Sequence, residues 1–300
     1  MRIPRDSDAL LAAYLLAHSQ TAALFPGETV HSYQLVLFDH TVCECFLTST
    51  MPPPPFQFVH ADLGQPDTLA AALKDVRAVF IVSPGAEDMV KLVADGVAAV
   101  KAAGITTIVV VSVIDVPTGL FKVQFTELEG SVKTSGLDYT LLRLPIFFEN
   151  QWSYLGSIKD ESKIYSPNNP AKPMSLVAVA DIGAASAVLL AAPAAHANKT
   201  YDLISDTVDF NAIVAGFTAA VGRKIEYVHI PYDVAIEGMV GDGVPRWQAV
   251  ALAELFELVD SRNYNPAVTV GTSDLESIIG RTPTTFKAWV DSVAPAFMTE

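Results

Sequence analysis

The chain has 300 residues, of which 51% are hydrophobic, and a mean hydropathy of +0.35. This composition supports a large core and excludes a disordered chain. The formal net charge of -14 at pH 7 disfavours nucleic acid and membrane surfaces as partners, because an acidic protein surface repels phosphate backbones and anionic lipid headgroups.

Two segments bear on the cellular compartment. The only cysteines are Cys43 and Cys45, and a disulfide across one intervening residue would be strained. Without a disulfide framework, the cytoplasm is the expected compartment. The apolar stretch from Ile182 to Ala195 is shorter than the roughly 20 residues needed to cross a bilayer, so it predicts a buried helix.

The middle of the chain alternates β-branched runs with amphipathic runs, which is typical of βαβ units in a parallel sheet. The pattern predicts strands at 56–60, 78–82, 107–111 and 138–144, and helices at 67–76, 87–103 and 121–134. Right-handed crossovers would place these strands in one sheet with helices on both faces. Ligands would then bind at the carboxyl ends of the strands.

The pattern becomes shorter and more mixed after residue 150. It predicts strands at 174–179, 199–203 and 225–230, and helices at 182–195, 210–221, 247–259 and 285–293. We therefore expect an α/β fold with two parts. Residues 1–150 would form a Rossmann-like, doubly wound domain, atypical over 1–55, and residues 151–300 a smaller α+β lobe interleaved with the sheet.

Several segments resemble the NmrA-like group of atypical short-chain dehydrogenase/reductases. They are Phe58-Val59-His60-Ala61-Asp62-Leu63, Ala78-Val79-Phe80-Ile81-Val82-Ser83-Pro84, Gly136-Leu137-Asp138-Tyr139-Thr140-Leu141-Leu142-Arg143-Leu144-Pro145-Ile146-Phe147-Phe148-Glu149-Asn150, Gly222-Arg223 and Gly280-Arg281-Thr282-Pro283-Thr284-Thr285-Phe286. The resemblance covers about Phe56 to Val290. It does not extend to the first fifty residues.

The resemblance implies a Rossmann-like domain that binds NAD or NADP. Members of the group are either reductases of small carbonyl or quinone substrates, or non-catalytic proteins that sense the nicotinamide pool and regulate a protein partner. Fold alone does not choose between a small-molecule substrate and a regulatory partner.

The resemblance also implies a cofactor site. Its expected residues are Ala61, Asp62, Ser83, Pro84, Gly85, Lys91, Pro145, Phe147, Phe148, Glu149 and Asn150. Asp62 would lie beside the adenine, or it caps the following turn. Lys91 would meet the cofactor, or it is solvated.

The segment from Phe147 to Asn150 would face the nicotinamide, with aromatic rings as walls and polar atoms for the amide. The alternative is that the two phenylalanines belong to the core. Ser112 corresponds to the serine beside the active site in the group, so it is the candidate catalytic residue. A serine at the end of a strand can also be a simple turn former.

Two departures from the group weaken a catalytic interpretation. Phe125 stands where the group carries a lysine that holds the ribose or assists proton transfer, and a phenyl ring cannot transfer protons. A dinucleotide loop also needs closely spaced glycines, yet Gly27 is the only glycine before Gly64. The N-terminal strand and glycine loop are therefore atypical or missing, because the start is either truncated or rebuilt.

If the segment from Tyr33 to Phe38 is the second strand of the sheet, Asp39 lies where an acid selects the ribose hydroxyls of NAD. His40, Cys43 and Cys45 are potential zinc ligands, but no second ligand pair follows at finger spacing. No metal site is predicted.

Overall fold

A computed structural model of the chain describes residues 34–38, 57–83, 85–114, 118–261 and 273–298. For 34–38 and 57–60 the description covers the backbone alone. In the described part, the strands are β1 (Gln34–Phe38), β2 (Gln57–Ala61), β3 (Ala78–Ile81), β4 (Thr107–Val113), β5 (Asp138–Leu144), β6 (Ile146–Phe147), β7 (Lys163–Ser166), β8 (Met174–Val177), β9 (Lys199–Asp202), β10 (Asp206–Val208) and β11 (Glu226–His229).

A 3-10 helix spans Phe148–Tyr154. The α-helices in the described part are α1 (Pro66–Ala72), α2 (Met89–Ala102), α3 (Leu120–Lys133), α4 (Leu155–Glu161), α5 (Val179–Ala191), α6 (Pro193–His196), α7 (Phe210–Val221), α8 (Tyr232–Gly241), α9 (Arg246–Asp260), α10 (Leu275–Ile279) and α11 (Phe286–Phe297).

The central sheet is parallel, with strand order β3-β4-β5-β9. The prediction that β2 pairs within this sheet is wrong, because β2 pairs in parallel with β1 in a separate two-stranded sheet. β1 also contacts β3, so the two sheets are adjacent. β9 completes the edge of the central sheet with a strand from beyond residue 150.

Helices cover both faces of the central sheet, which is the doubly wound arrangement expected from the sequence. On one face, α1, α2 and α3 pack against inward residues such as Ile108 and Val110 of β4. On the other face, α5 and α10 pack against Val109 and Val111 of the same strand. The strand alternates sides residue by residue, and both sides are apolar, as a strand buried on two faces requires.

A third apolar cluster lies among the elements that follow β5. It is rich in aromatic rings, and Phe148, Phe217, Phe286 and Phe297 are at most 2% exposed. Two small sheets border it: β7 pairs in parallel with β11, and β8 lies between β6 and β10. The cluster fixes the direction of the chain as it leaves β5.

Several helix boundaries follow from local sequence. The side chain of Asp209 accepts a hydrogen bond from the backbone N–H of Ala212, and Gly222 follows with a φ of 72°. These two signals bound α7 as predicted. α4, α8 and α10 were not predicted from the sequence. No described helix is both long and apolar enough to span a membrane.

Candidate functional site

A cavity of about 200 Å³ lies at the carboxyl ends of β3, β4 and β5. Ser83 and Gly85 border it after β3, and Ser112 borders it from the end of β4. Pro145 and Phe147 border it directly after β5. Asn150 lines the cavity as well. Six of the residues predicted for the site therefore meet here. In parallel sheets this edge is the usual position of a ligand.

The walls of the cavity are mainly apolar and aromatic. Phe121 and Phe125 of α3 form one side, and Trp247 of α9 lies among the lining residues with Phe147. The polar groups are serine hydroxyls and side-chain amides, including those of Gln124 and Gln248. Among the described residues that line the cavity, none carries a titratable side chain. Such walls suit a flat, apolar ring that carries a few hydrogen-bonding groups.

Helix α9 forms the side of the cavity that the sequence did not predict. Trp247, Gln248, Leu252 and Leu255 of this helix all line it. A carboxylate holds the helix against α3, because the backbone N–H of Leu120 donates to Oε2 of Glu254 at 3.0 Å. The sequence predicted the helix from its periodicity, but it contained no signal that α9 packs at the strand ends.

Ser112 is 2% exposed, and its hydroxyl donates to Oε1 of Glu129 at 2.9 Å. Arg143 bonds both carboxylate oxygens of Glu129, at 2.7 and 2.8 Å, and Lys133 donates to Oε2 at 2.8 Å. Burial alone would raise the pKa of Glu129, but these hydrogen bonds and charges outweigh it and lower the pKa to about 2. The serine therefore lies beside a permanent negative charge at neutral pH.

Asp62 and Ala61 lie at the end of β2 and are 5% and 1% exposed. Asp62 accepts hydrogen bonds from the backbone N–H of Gly64 at 2.8 Å and from the amide of Gln65 at 2.6 Å. This is the turn-capping geometry considered for Asp62. Neither residue lines the cavity. Their assignment to the adenine end of a cofactor stays a prediction.

Neither Lys91 nor Phe148 lines the cavity. The side chain of Lys91 is 73% exposed and forms an ion pair with Asp95 at 2.6 Å on the same helix. Phe148 is fully buried and packs edge-on against Phe286, with ring centroids 5.3 Å apart. Lys91 is thus exposed to solvent, and its contact with a cofactor stays a prediction. Phe148 is part of the aromatic core.

Glu149 points away from the cavity toward the start of α5. Its Oε2 accepts from the backbone N–H of Val179 at 3.1 Å. Burial, together with the nearby charge of Asp181, raises the pKa of Glu149 to about 7, against the hydrogen bonds it accepts from backbone N–H groups and Trp289. Of the last two predicted residues, only Asn150 lines the cavity.

Some predicted residues lie outside the described ones: Pro84, Asp39, Gly27, and the potential zinc ligands His40, Cys43 and Cys45. Within the described residues, no group of three or more histidine, cysteine, aspartate or glutamate side chains is placed to hold a metal ion.

Comparison with known proteins decides the family. The sequence model of the NmrA-like family matches residues 54–290. The chain belongs to the NmrA-like family. This confirms the resemblance noted in the sequence, and the match begins and ends close to the limits expected there.

Three NmrA-like or related proteins illustrate the range of relatives. The NAD(P)H azoreductase of Xenophilus azovorans is 30% identical over 247 residues, which are 80% of this chain and 84% of that protein. The NADPH-dependent quinone oxidoreductase of Escherichia coli, complexed with NADPH, has a TM-score of 0.69 at 22% identity and covers 79% of this chain and 83% of its own.

The third is NmrA, a negative transcriptional regulator, in complex with NAD. Its TM-score is 0.61 at 17% identity, with 80% of this chain and 81% of that one covered. At these identities the two structures show the fold alone, and they confirm the Rossmann-like α/β class. Within one fold the relatives are named as reductases and as a regulator.

The residues around the cavity fit the nicotinamide end of a dinucleotide. An apolar cavity of about 150 Å³ holds one benzene ring, so about 200 Å³ suits one substituted ring. Pro145 and Phe147 supply apolar walls, and the amides of Asn150 and Gln248 supply donors and acceptors for a carboxamide.

Proposed function

We propose that this protein binds NAD or NADP with the nicotinamide ring in the cavity at the ends of β3, β4 and β5. We further propose that it acts as an oxidoreductase on a small, flat, apolar acceptor such as an azo compound or a quinone. The observation that carries the proposal is this apolar cavity, beneath α9, in a chain 30% identical to an NAD(P)H azoreductase.

A bound reduced nicotinamide supplies a hydride, which carries two electrons to the acceptor. The protein's part is to orient the rings and exclude water. Phe121, Phe125 and Trp247 offer faces against which an aromatic acceptor can pack. An acceptor packed over the open side of the cavity, against the nicotinamide ring, is positioned for hydride transfer without a covalent intermediate.

The described lining residues offer no proton donor, and the Ser112 hydroxyl is committed to Glu129. Under this proposal the proton that completes reduction comes from water after hydride transfer. Quinones and azo compounds fit, because the anion formed by hydride addition takes up a proton from solvent. Asp115 follows the cavity residue Ile114 but lies outside the described residues, so an Asp115→Asn variant tests it as a donor.

Two measurements test the proposal. The first is a titration with NADH and NADPH, followed by quenching of tryptophan fluorescence, to which Trp247 in the cavity wall should contribute. The second is the loss of reduced-nicotinamide absorbance on addition of an azo dye or a quinone. The proposal expects saturable binding and acceptor-dependent oxidation, with Asp115→Asn retaining both.

A pair of variants connects the activity to the cavity. Leu252→Trp adds an indole within the lining, whereas Val250→Trp adds the same group to the 39%-exposed side of the same helix. We expect Leu252→Trp to lower kcat/KM by at least about tenfold, since the added ring takes up space in the cavity that the nicotinamide and the acceptor over it need. Equal activity in the two variants would place the reaction elsewhere and contradict the proposal.

The second candidate function is a cofactor-binding regulator that does not turn over. The fixed Ser112 hydroxyl, and the phenylalanine at position 125 in place of a lysine, favour it. Under this alternative the chain binds the dinucleotide and a protein partner. Saturable binding without oxidation of any acceptor would support the regulator over the reductase.

A further inference from the structure

A polar cluster beside the cavity decides whether the Ser112 hydroxyl can donate or only accept a hydrogen bond on the cavity side. It consists of Ser112, Glu129, Lys133 and Arg143. Ser112 belongs to the cavity lining, and its hydroxyl donates to Glu129 at 2.9 Å. Glu129 is 6% exposed and takes three further hydrogen bonds, two from Arg143 and one from Lys133. Each of these partners is a donor, so the carboxylate is bonded as an acceptor on both oxygens.

The ionisation state of Glu129 decides which way the Ser112 hydrogen points. A carboxylate can only accept hydrogen bonds. Its pKa of about 2 keeps it charged throughout the neutral range. The single hydrogen of the Ser112 hydroxyl is therefore committed to Glu129, and only its oxygen lone pairs are available to anything else.

We propose that Ser112 serves the bound ligand solely as a hydrogen-bond acceptor, and that Glu129 is the positioning residue that imposes this polarity. The ligand group beside Ser112 then carries an N–H or O–H. The inference rests on the proposed function, and under it the carboxamide NH₂ of the nicotinamide is the group of the required chemistry. A role in which Ser112 donates a proton or hydrogen bond to a substrate carbonyl is excluded by the same geometry.

Binding of two dinucleotides tests the proposal without reference to turnover. One is reduced NAD or NADP, whichever binds. The other is its 3-acetylpyridine analogue, which keeps the carbonyl oxygen but lacks the N–H donors. We expect the wild-type protein to prefer the carboxamide, and Ser112→Ala to reduce that preference about three- to tenfold, the contribution of one hydrogen bond.

Matched variants separate the hydroxyl's role from packing. Ser112→Thr keeps an acceptor oxygen and should retain the preference of the wild type. Ser131→Ala removes a hydroxyl on the same helix as Glu129 that bonds only the Leu128 carbonyl in the structure, and it should leave the preference unchanged. The comparison of ratios cancels any general difference in affinity between the two dinucleotides.

Glu129→Gln tests the positioning role directly. With its carbonyl oxygen at the Oε2 position, held by Lys133 and the terminal nitrogen of Arg143, the glutamine NH₂ would face Ser112, donate to it and release the serine hydrogen toward the cavity, while the Arg143 Nε–H loses its acceptor. The preference should then shift toward the acetylpyridine analogue. Thermal unfolding reports whether the variant folds, and the Ser112→Ala result tests the acceptor role if it does not.

The outcomes distinguish this inference from the function on which it rests. If neither dinucleotide binds the wild-type protein, the proposed function fails, and this inference fails with it. If both bind but Ser112→Ala leaves their ratio unchanged, the acceptor role of Ser112 is overturned while cofactor binding stands.

Discussion

Glu129 is buried and Glu149 partly buried, yet the pKa of the first is lowered and that of the second is raised. Four hydrogen bonds from neutral and cationic donors hold Glu129 charged. The carboxylate of Glu149 accepts a hydrogen bond from the Val179 N–H, but burial, together with the nearby charge of Asp181, outweighs this and raises its pKa. Environment rather than residue type thus determines whether a buried glutamate is ionised at neutral pH.

The raised pKa of Glu149 predicts a pH-dependent contribution to stability. The folded protein holds a proton on Glu149 up to about pH 7, whereas its ordinary value is 4.5. This contribution is complete below the ordinary value and is lost as the pH rises through about 7. We expect the free energy of unfolding to fall by about 3 kcal/mol from this residue between roughly pH 5 and pH 8.

Chemical denaturation of Glu149→Gln across this range measures the effect, because the amide does not titrate. As the pH rises, the free energy of unfolding of the wild type should fall relative to that of the variant. Glu127→Gln, at an exposed position of α3, is the control, and its free energy of unfolding should change with pH as that of the wild type does. Parallel curves for Glu149→Gln as well would show that Glu149 is already ionised near pH 5.

The neighbours Phe147 and Phe148 show what the sequence could and could not establish about the site. The resemblance identified the segment, and six predicted residues do meet at the cavity. It could not separate a wall residue from a core residue one position later. That separation depends on Phe286 and Trp289, which lie far along the chain and pack around Phe148.

At the scale of elements, the interaction between α9 and α3 positions the cavity wall. α3 begins after Gly119, whose φ is 94° and which offers no side chain to cap the helix. Glu254 of α9 supplies the missing acceptor at the Leu120 N–H. A Cβ at position 119 would lie 3.0 Å from Oε2 of Glu254, so the glycine also gives the carboxylate its room.

This contact predicts that Glu254→Ala destabilises the protein by about 1 kcal/mol, the usual effect of removing a helix cap, aided by the helix dipole. Glu257→Ala removes an exposed carboxylate from the same helix and is the control. Urea denaturation of the two variants measures the difference. Identical midpoints would mean that the carboxylate contributes nothing to holding α9 on α3.

The elements that were predicted well carry their own boundary signals. α7 has the Asp209 cap and Gly222, and its predicted bounds match the observed ones. α8 was missed: it contains two glycines, Gly238 and Gly241, which lower its helix propensity, and none of its residues is buried. β1 lies where the sequence suggested a second strand, but its pairing with β2 in a sheet apart from the central one was not foreseen, since the strand pattern of β2 does not specify its neighbour.

At the scale of the whole molecule, one buried carboxylate joins three distant segments. Asp181, in the first turn of α5, is fully buried. It accepts from the Ser205 hydroxyl at 2.7 Å, from Arg281 at 2.7 Å, and from the N–H and hydroxyl of Thr284 at 2.7 and 3.0 Å. The Gly280-to-Phe286 segment, singled out from the sequence, thus attaches the final helices to the sheet.

Asp181→Ala should therefore destabilise the whole fold rather than one loop. The substitution leaves the Thr284 N–H and the Ser205 hydroxyl without their acceptor, while Arg281, whose side chain is 49% exposed, can turn to water. We expect a loss of about 2–4 kcal/mol in the free energy of unfolding. Asp291→Ala, which removes a half-exposed partner of Lys287, should cost less than about 1 kcal/mol.

Monitoring the same denaturation by tryptophan fluorescence and by far-ultraviolet circular dichroism tests whether the loss is global. Two of the three tryptophans, Trp152 and Trp289, lie in or against the aromatic cluster, whereas circular dichroism reports all helices. Coincident transitions, both shifted in Asp181→Ala, are expected if the carboxylate couples that cluster to the sheet. A shift in fluorescence alone would mean that the cluster unfolds independently and that Asp181 stabilises only its attachment.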